Sequence, residues 1–377
     1  MTPACGQPQL RTACDRCRRR SRLLSLLSAR LDYCALKQGR LGETLALDDD
    51  AMMDAMGGRR AEALRAAYAR FDPDHEPCQS GHESVCRHDG SYPPLLPHPG
   101  GPAMLFVAGG ADRLCALTSV PVVAIVGSAR ASDYGIEVSR AIARGLSSSG
   151  VTVTSVLTDG VAAGAQAGAL EGGGRALAVL GGGLDVGCPA RRRSLLKRLL
   201  RSGCAVSELP CDCSGRRWGN IAAERIVAGL ADLTVLVESD SDPAGVTCIG
   251  AAQALDRTVA AVPGRVTSPL ADGPHALLRR GAPLVRNAGD VLELLGAPPA
   301  PSPSGAGVTR RAGRELSPRL GALLALVSSG SDTPDRLYEH GGDPGDLLLG
   351  LSELELLGLL VRGDGGRYVP RGDLNAP

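Results

Sequence analysis

Three stretches of the chain carry residue types able to hold an anion. The apolar run ending Ile125-Val126 stops at Gly127-Ser128-Ala129-Arg130, and Ser132 and Tyr134-Gly135 follow. A strand that ends in Gly-Ser and opens a helix presents unpaired backbone N–H groups, and the helix dipole favours negative charge there. Arg130 adds a guanidinium. The spacing is not G-x-G-x-x-G, so the dinucleotide fingerprint is not met, and a glycine serving only a tight turn reads the same way. Leu180-Gly181-Gly182-Gly183-Leu184-Asp185 ends a second apolar run. Its glycines leave room for a ligand backbone, or form a flexible loop. A third run leads through Ser207-Glu208-Leu209-Pro210 to Arg216, Arg217, Trp218 and Arg225. These are cations with a stacking ring, or a solvated loop with Trp218 in the core.

Other chemistries are less well supplied. Cys14-x-x-Cys17 has zinc-ligand spacing, but a lone pair is a weak signal. Cys78, His82, Cys86 and His88 follow at irregular intervals. No hydrolase triad, P-loop or paired-carboxylate signature is present, so an enzyme is not expected and no cofactor is called for. A nucleotide-processing enzyme would need an acid such as Glu208 or Glu238 at a strand end. Both read better as structural hydrogen-bonding groups.

The elements that position these residues follow from periodicity. Residues 1–90 read as a helical module and connector. Leu23, Leu24, Leu26, Leu27 and Leu31 have helical spacing, and a second helical stretch from Met52 to Tyr68 is interrupted at Gly57-Gly58. Residues 72–102, rich in Pro, His and Gly, form the connector. From about 120, short β-branched runs at 122–126, 151–156, 176–180, 204–206, 233–237 and 259–262 alternate with helical stretches. That pattern is a doubly wound α/β domain, a Rossmann-like parallel sheet covered on both faces and assigned to residues 91–296. Such sheets bind ligands beyond the carboxyl ends of their strands. Residues 297–315 are a Pro/Ser/Gly linker. Residues 316–377 combine leucine-rich helices with a Leu359–Val361, Arg367–Val369 hairpin, a winged-helix-like pattern.

Composition bounds the partners. The 377 residues carry a net charge of +1, so affinity for a polyanion has to come from a local patch. Only Lys37 and Lys197 are lysine. Aromatic residues are 2%, which weighs against rows of stacked bases. No apolar stretch reaches 18 residues and no signal region is evident, so a cytoplasmic protein with no membrane span is expected. The 12 cysteines of this long chain read as reduced thiols.

Taken in order, several segments resemble the DprA/Smf family of DNA-processing proteins. They are His88-Asp89-Gly90-Ser91-Tyr92-Pro93 with Leu96, VAIVGSARASDYG from Val123, ALAVLGGGLDVGCP from Ala176, VSELP from Val206, RIVAGLADLTVLVE from Arg225 and VAAVPGRVTSPLADG from Val259. LSELELLGLLVRGDGGRYVP from Leu351 is similar to the family's winged-helix tail, and CDRCRRR from Cys14 to the start of some actinobacterial-type members. The resemblance implies single-stranded DNA binding, a homodimer formed through the α/β domain, and loading of the RecA recombinase in natural transformation, without enzymatic activity. It assigns DNA phosphates to Gly127, Ser128, Arg130, Ser155, Gly181, Gly182, Gly183 and Arg225, with Arg216, Arg217 and Trp218 as further contacts. The chain departs from the family pattern. Ala129 stands where the family has arginine, Ala162 and Gln166 fall in its S-G-x-x-x-G-I-D…H stretch, and Ala223 and Glu224 replace Arg and Asn of F-P-x-R-N-R. Pro243-Ala244-Gly245 to Cys248 departs from a further motif. The departures imply binding weaker than a typical relative's, with Glu224 facing the DNA. The alternatives are a degenerate paralogue acting in protein contacts and a nucleotide-processing enzyme.

Overall fold

The computed structural model describes residues 12–38, 40–72, 82–96, 100–240, 246–296, 317–328, 333–338, 343–357, 359–362 and 368–370. They fall into two units, Met1–Ala300 and Pro301–Pro377.

The first unit opens with helices α1 (Asp15–Leu26), α2 (Ser28–Tyr33), α3 (Leu41–Ala46), α4 (Asp49–Gly57) and α5 (Ala61–Ala69). The expected break lies at Gly58, whose φ of +49° is costly for any residue with a Cβ. Strands and helices then alternate: β1 (Glu83–Cys86), β2 (Met104–Ala108), α6 (Ala111–Thr118), β3 (Val122–Val126), α7 (Asp133–Ser148), β4 (Thr152–Val156) and α8 (Val161–Glu171). Next come β5 (Ala176–Val179), α9 (Arg193–Ser202), β6 (Cys204–Ser207), α10 (Arg216–Leu230), β7 (Leu233–Leu236), α11 (Thr247–Ala254), β8 (Thr258–Ala261), α12 (Asp272–Arg279) and α13 (Ala288–Leu294).

The sheet order is β1-β2-β6-β5-β4-β3-β7-β8. The six strands from β3 to β8 are parallel, with β3 against β4 and β7 in the middle. β1 and β2 extend one edge in antiparallel fashion. Every residue of β3 to β7 is buried, which is why those strands carry no charge and their polar positions are small hydroxyls, Thr152, Thr154, Ser155, Ser207 and Thr234. All six expected strands are present. The antiparallel pair is additional: β1 lies in the stretch read as connector, and β2, Met104-Leu-Phe-Val-Ala, in a part of residues 91–296 to which no strand was assigned.

Two cores cover the two faces of the sheet. One is built around Val123, Ile125, Ile142, Leu146 and Ala178, the other around Ala124, Leu177, Val206, Ile226 and Leu236. On the first face α8 lies against α7 at backbone contact. A Cβ added at Gly164 or Gly168 on α8, or at Gly172 just past its end, would come within 2.7 Å of a backbone oxygen of α7. A third core joins the N-terminal helices to the sheet domain: Leu23, Leu31 and Met52 pack with Leu209, Trp218 and Ala222.

The second unit contains α14 (Pro318–Ser328), α15 (Pro334–Tyr338), α16 (Pro344–Leu356) and the antiparallel hairpin β9 (Leu360–Arg362) and β10 (Tyr368–Pro370). Helices followed by a hairpin match the winged-helix-like pattern, with Leu320, Leu324, Leu351 and Tyr368 in its core.

Candidate nucleic-acid interface

The carboxyl ends of β3 to β8 lie along one edge of the sheet, and most of the residues singled out from the sequence sit there. After β3 the chain turns at Gly127, where a Cβ would stand 2.6 Å from the Glu238 carbonyl oxygen. Ser128 N–H donates to that same carbonyl (2.7 Å), and Ser128 C=O accepts from Val161 N–H (3.2 Å). Ser128 is half-buried; Ala129 and Arg130 are exposed. Gly160, following β4 with φ +61°, abuts the Ser128 carbonyl so closely that a Cβ would stand 2.2 Å from it. The tips of β3 and β4 are therefore one packed ridge. Next to it Asp159 is bracketed by Arg191 and Arg192, the latter at 2.7 Å.

Several expected phosphate contacts are placed elsewhere by the packing. Gly181, Gly182 and Gly183 are buried, and Gly183 N–H donates to Cys213 C=O (2.7 Å). Their missing side chains admit protein backbone rather than ligand: a Cβ at Gly183 would lie 1.9 Å from Pro210 C=O, and one at Gly182 2.9 Å from Ser214 C=O. Ser155 is wholly buried; it accepts from Gln166 Nε2 (2.9 Å) and its hydroxyl faces Ala162 C=O (3.4 Å). Arg225 forms a two-pronged buried pair with Glu208, Nη1–Oε1 2.9 Å and Nη2–Oε2 2.7 Å. Trp218 has no exposed surface, and its indole N–H donates to Ser28 Oγ (2.8 Å). It is an anchor for the N-terminal helices and not a base-stacking platform.

The altered positions resolve in the same way. Ala162, Gln166 and Ala223 are buried, so their replacements change the interior; Ala129 alone of the group is exposed. Glu224 does not face outward. Its carboxylate accepts from Cys248 N–H (3.1 Å) at the first turn of α11, and burial holds its pKa above the ordinary carboxylate value. Burial, with the Glu224 charge nearby, also pushes the Cys248 thiol well up. Glu238 accepts from Ser132 N–H (2.8 Å) and Ser132 Oγ (2.6 Å), so both candidate acids, Glu208 and Glu238, are committed to structural bonds.

Arginines are among the residues that stay outward at this edge, beside the exposed Asp133, Asp185, Asp212 and Asp240. Arg130 follows β3, and Arg216 and Arg217 open α10 after β6, where Gly215 and Gly219 press on the Gly181 carbonyl. Helix α9, starting at the same edge, was not singled out from the sequence. It buries Leu195 and Leu199 and exposes Arg193, Lys197 and Arg201 at four-residue intervals, with Arg198 alongside. The signal was legible: RRRSLLKRLLR alternates charge and leucine at helical period. None of these seven side chains is in an ion pair with a described residue. A chain of near-zero net charge thus keeps these cations free of described ion-pair partners, some at the carboxyl edge and the rest along α9.

The cysteines divide. Nine of the described ones are free thiols, whereas Cys211 is disulfide-bonded, against the expectation of reduced thiols throughout. Cys14 and Cys17 converge with Cys86 and His88. His82 instead faces Asp185 (3.3 Å), and Cys78 and Pro243-Ala244-Gly245 lie outside the described residues. Among the described residues, no helix is long and apolar enough to cross a membrane.

Comparison with known proteins gives a consistent picture. Residues 83–296 match the model of a family described as DNA recombination-mediator protein A. A DNA processing protein DprA of Mycobacterium tuberculosis is 35% identical over 255 residues, which are 64% of this chain and 62% of the relative. The solved structure of DNA processing protein A from Streptococcus pneumoniae aligns with a TM-score of 0.57 at 27% identity, covering 74% of this chain and 95% of that one. The Helicobacter pylori protein, described for its single-stranded DNA binding mode, has the same fold, with a TM-score of 0.50 and 22% identity, over 57% of this chain and 95% of its own.

Proposed function

Because the chain belongs to the family of DNA recombination-mediator protein A, we propose that it is a single-stranded DNA-binding accessory protein, without catalytic activity, that delivers bound strands to a RecA-type recombinase and works as a homodimer. The observation that carries the reading is the set of outward cations at the carboxyl edge, Arg130, Arg216 and Arg217, with the basic helix α9 starting from the same edge. Phosphates are the groups such a surface grips. With Trp218 buried, the grip is electrostatic and indifferent to sequence. Arg225, Ser155 and the Gly181–Gly183 turn shape that edge from beneath, without touching DNA.

The test is fluorescence anisotropy with a labelled oligothymidine across a salt series. The expected result is binding with a steep salt slope. The slope should fall by about 0.7 for each phosphate no longer neutralised, hence by about 2 in an R130A/R216A/R217A variant. Lack of binding at low salt, or unchanged affinity in that variant, rejects the site. A duplex of the same length should bind less well, and addition of RecA should speed filament growth on coated strands if delivery is part of the role.

The second unit fits a protein contact. Helix α16 carries Asp346, Glu353 and Glu355 and no Lys or Arg, and it exposes Leu348 and Leu349, each at least half accessible. Such a helix repels phosphate and offers an apolar strip to a protein.

A further inference from the structure

We propose that Cys14, Cys17, Cys86 and His88 form a tetrahedral zinc site that clasps helix α1 to the end of strand β1. The four ligand atoms, from segments some 70 residues apart in the chain, all lie within 4.8 Å of one another. Nδ1 of His88 is 3.4 Å from Cys14 Sγ, 3.5 Å from Cys17 Sγ and 3.9 Å from Cys86 Sγ. A zinc ion about 2.3 Å from sulfur and about 2.0–2.1 Å from imidazole nitrogen, in tetrahedral geometry, requires S···N edges of roughly 3.6 Å. The three separations straddle that value, so an ion fits with little movement of its ligands.

The backbone holds the ligands apart from any metal. Cys14 is the N-cap of α1, and its carbonyl accepts from Cys17 N–H (3.0 Å), which sets the first pair in one helical turn. Cys86 ends β1, and Asp89 N–H donates to its carbonyl (2.8 Å), closing the turn that presents His88. Ala13 N–H donates to Ser84 Oγ (2.8 Å), tying the start of α1 to β1 beside the cluster. Cys17 and Cys86 are buried while Cys14 and His88 lie at the surface, so the site has an inner wall and an open entrance.

The chemistry selects the ion. Three thiolates and one imidazole form a structural zinc donor set, whereas iron–sulfur clusters are held mainly by four thiolates. Binding replaces the three thiol protons, which leave to solvent, and uses the Nδ1 lone pair of His88. The resulting centre has a charge of −1. Arg16 and Arg87, each next in sequence to a ligand, line with Cys17 and His88 the adjoining cavity of about 660 Å³. The clasp would fasten the N-terminal helices to the sheet edge farthest from β8, supplementing the Trp218 anchor.

Zinc content of the full chain, purified without chelator from zinc-supplemented cells, tests the site. Elemental analysis is expected to find about one zinc per chain. A C86S/H88A variant should lose it and a C115S/C188S variant, altering two free cysteines outside the cluster, should keep it. To separate loss of the site from loss of the fold, the metal is stripped from the intact chain and Co(II) added: thiolate charge-transfer absorption with tetrahedral d–d bands should appear and be displaced by zinc. Metal-free protein that takes up no Co(II) with that spectrum overturns the proposal. So does zinc that persists in C86S/H88A or disappears in C115S/C188S.

Discussion

Replacing Arg225 by methionine separates the two roles open to that residue. Its guanidinium and the Glu208 carboxylate are both nearly buried, with side-chain accessibilities of 11% and 6%, and face each other through two hydrogen bonds. Removing the arginine alone leaves a buried carboxylate without its hydrogen-bonded partner. Breaking a buried pair in this way costs about 3–5 kcal/mol, more than the pair itself contributes, because the survivor has lost both water and partner. At roughly 2–4 °C per kcal/mol for a domain of this size, the melting temperature should fall by about 6–20 °C. An R225M/E208M double variant removes both charges and should recover most of that loss. Scanning calorimetry of the wild type, both single variants and the double variant measures the coupling. Anisotropy at a temperature where all four are folded should show single-stranded DNA affinity within about twofold of wild type. An arginine that gripped a phosphate directly would, on removal, weaken binding toward the tenfold that corresponds to about 1.4 kcal/mol. A tenfold weaker R225M with an unchanged melting temperature would refute the reasoning and return Arg225 to the DNA surface.

Four further outcomes follow. G168A places a methyl group 2.0 Å from the Arg140 carbonyl oxygen, so despite better helix propensity it should lose about 1–3 kcal/mol in urea unfolding. G250A on α11 has nothing within 4 Å of the new group and should gain up to about 1 kcal/mol. Glu224 has its folded pKa raised by burial, so its favourable contribution is complete below the unfolded carboxylate value of about 4.3 and is lost as pH rises through the folded value. E224Q, which keeps the acceptor for Cys248 N–H, should therefore melt higher than wild type at pH 7 and equal to it near pH 4. Deletion of residues 301–377 removes a separate unit and its acidic α16, and should leave oligothymidine affinity within about twofold in the same anisotropy assay.

The sheet was legible because its strands are buried on both faces: Val122–Val126 or Leu233–Leu236 can be little else when flanked by helical stretches. The helical break at Gly58 was local in the same sense, since a positive φ needs only near neighbours. Side-chain destinations were not local. Whether Trp218 stacks on a base or fills a core depends on Leu23 and Met52, well over a hundred residues earlier in the chain. Whether Arg225 meets phosphate depends on Glu208 pointing back at it from the end of β6, and Gly181–Gly183 look like a ligand cradle until the 210–215 segment is laid over them. Composition and period determine which residues are apolar enough to build the sheet. Burial of a charge or a ring is a property of everything that surrounds it, and folding alone decided which arginines keep their charge for a partner and which four of the scattered cysteines and histidines meet.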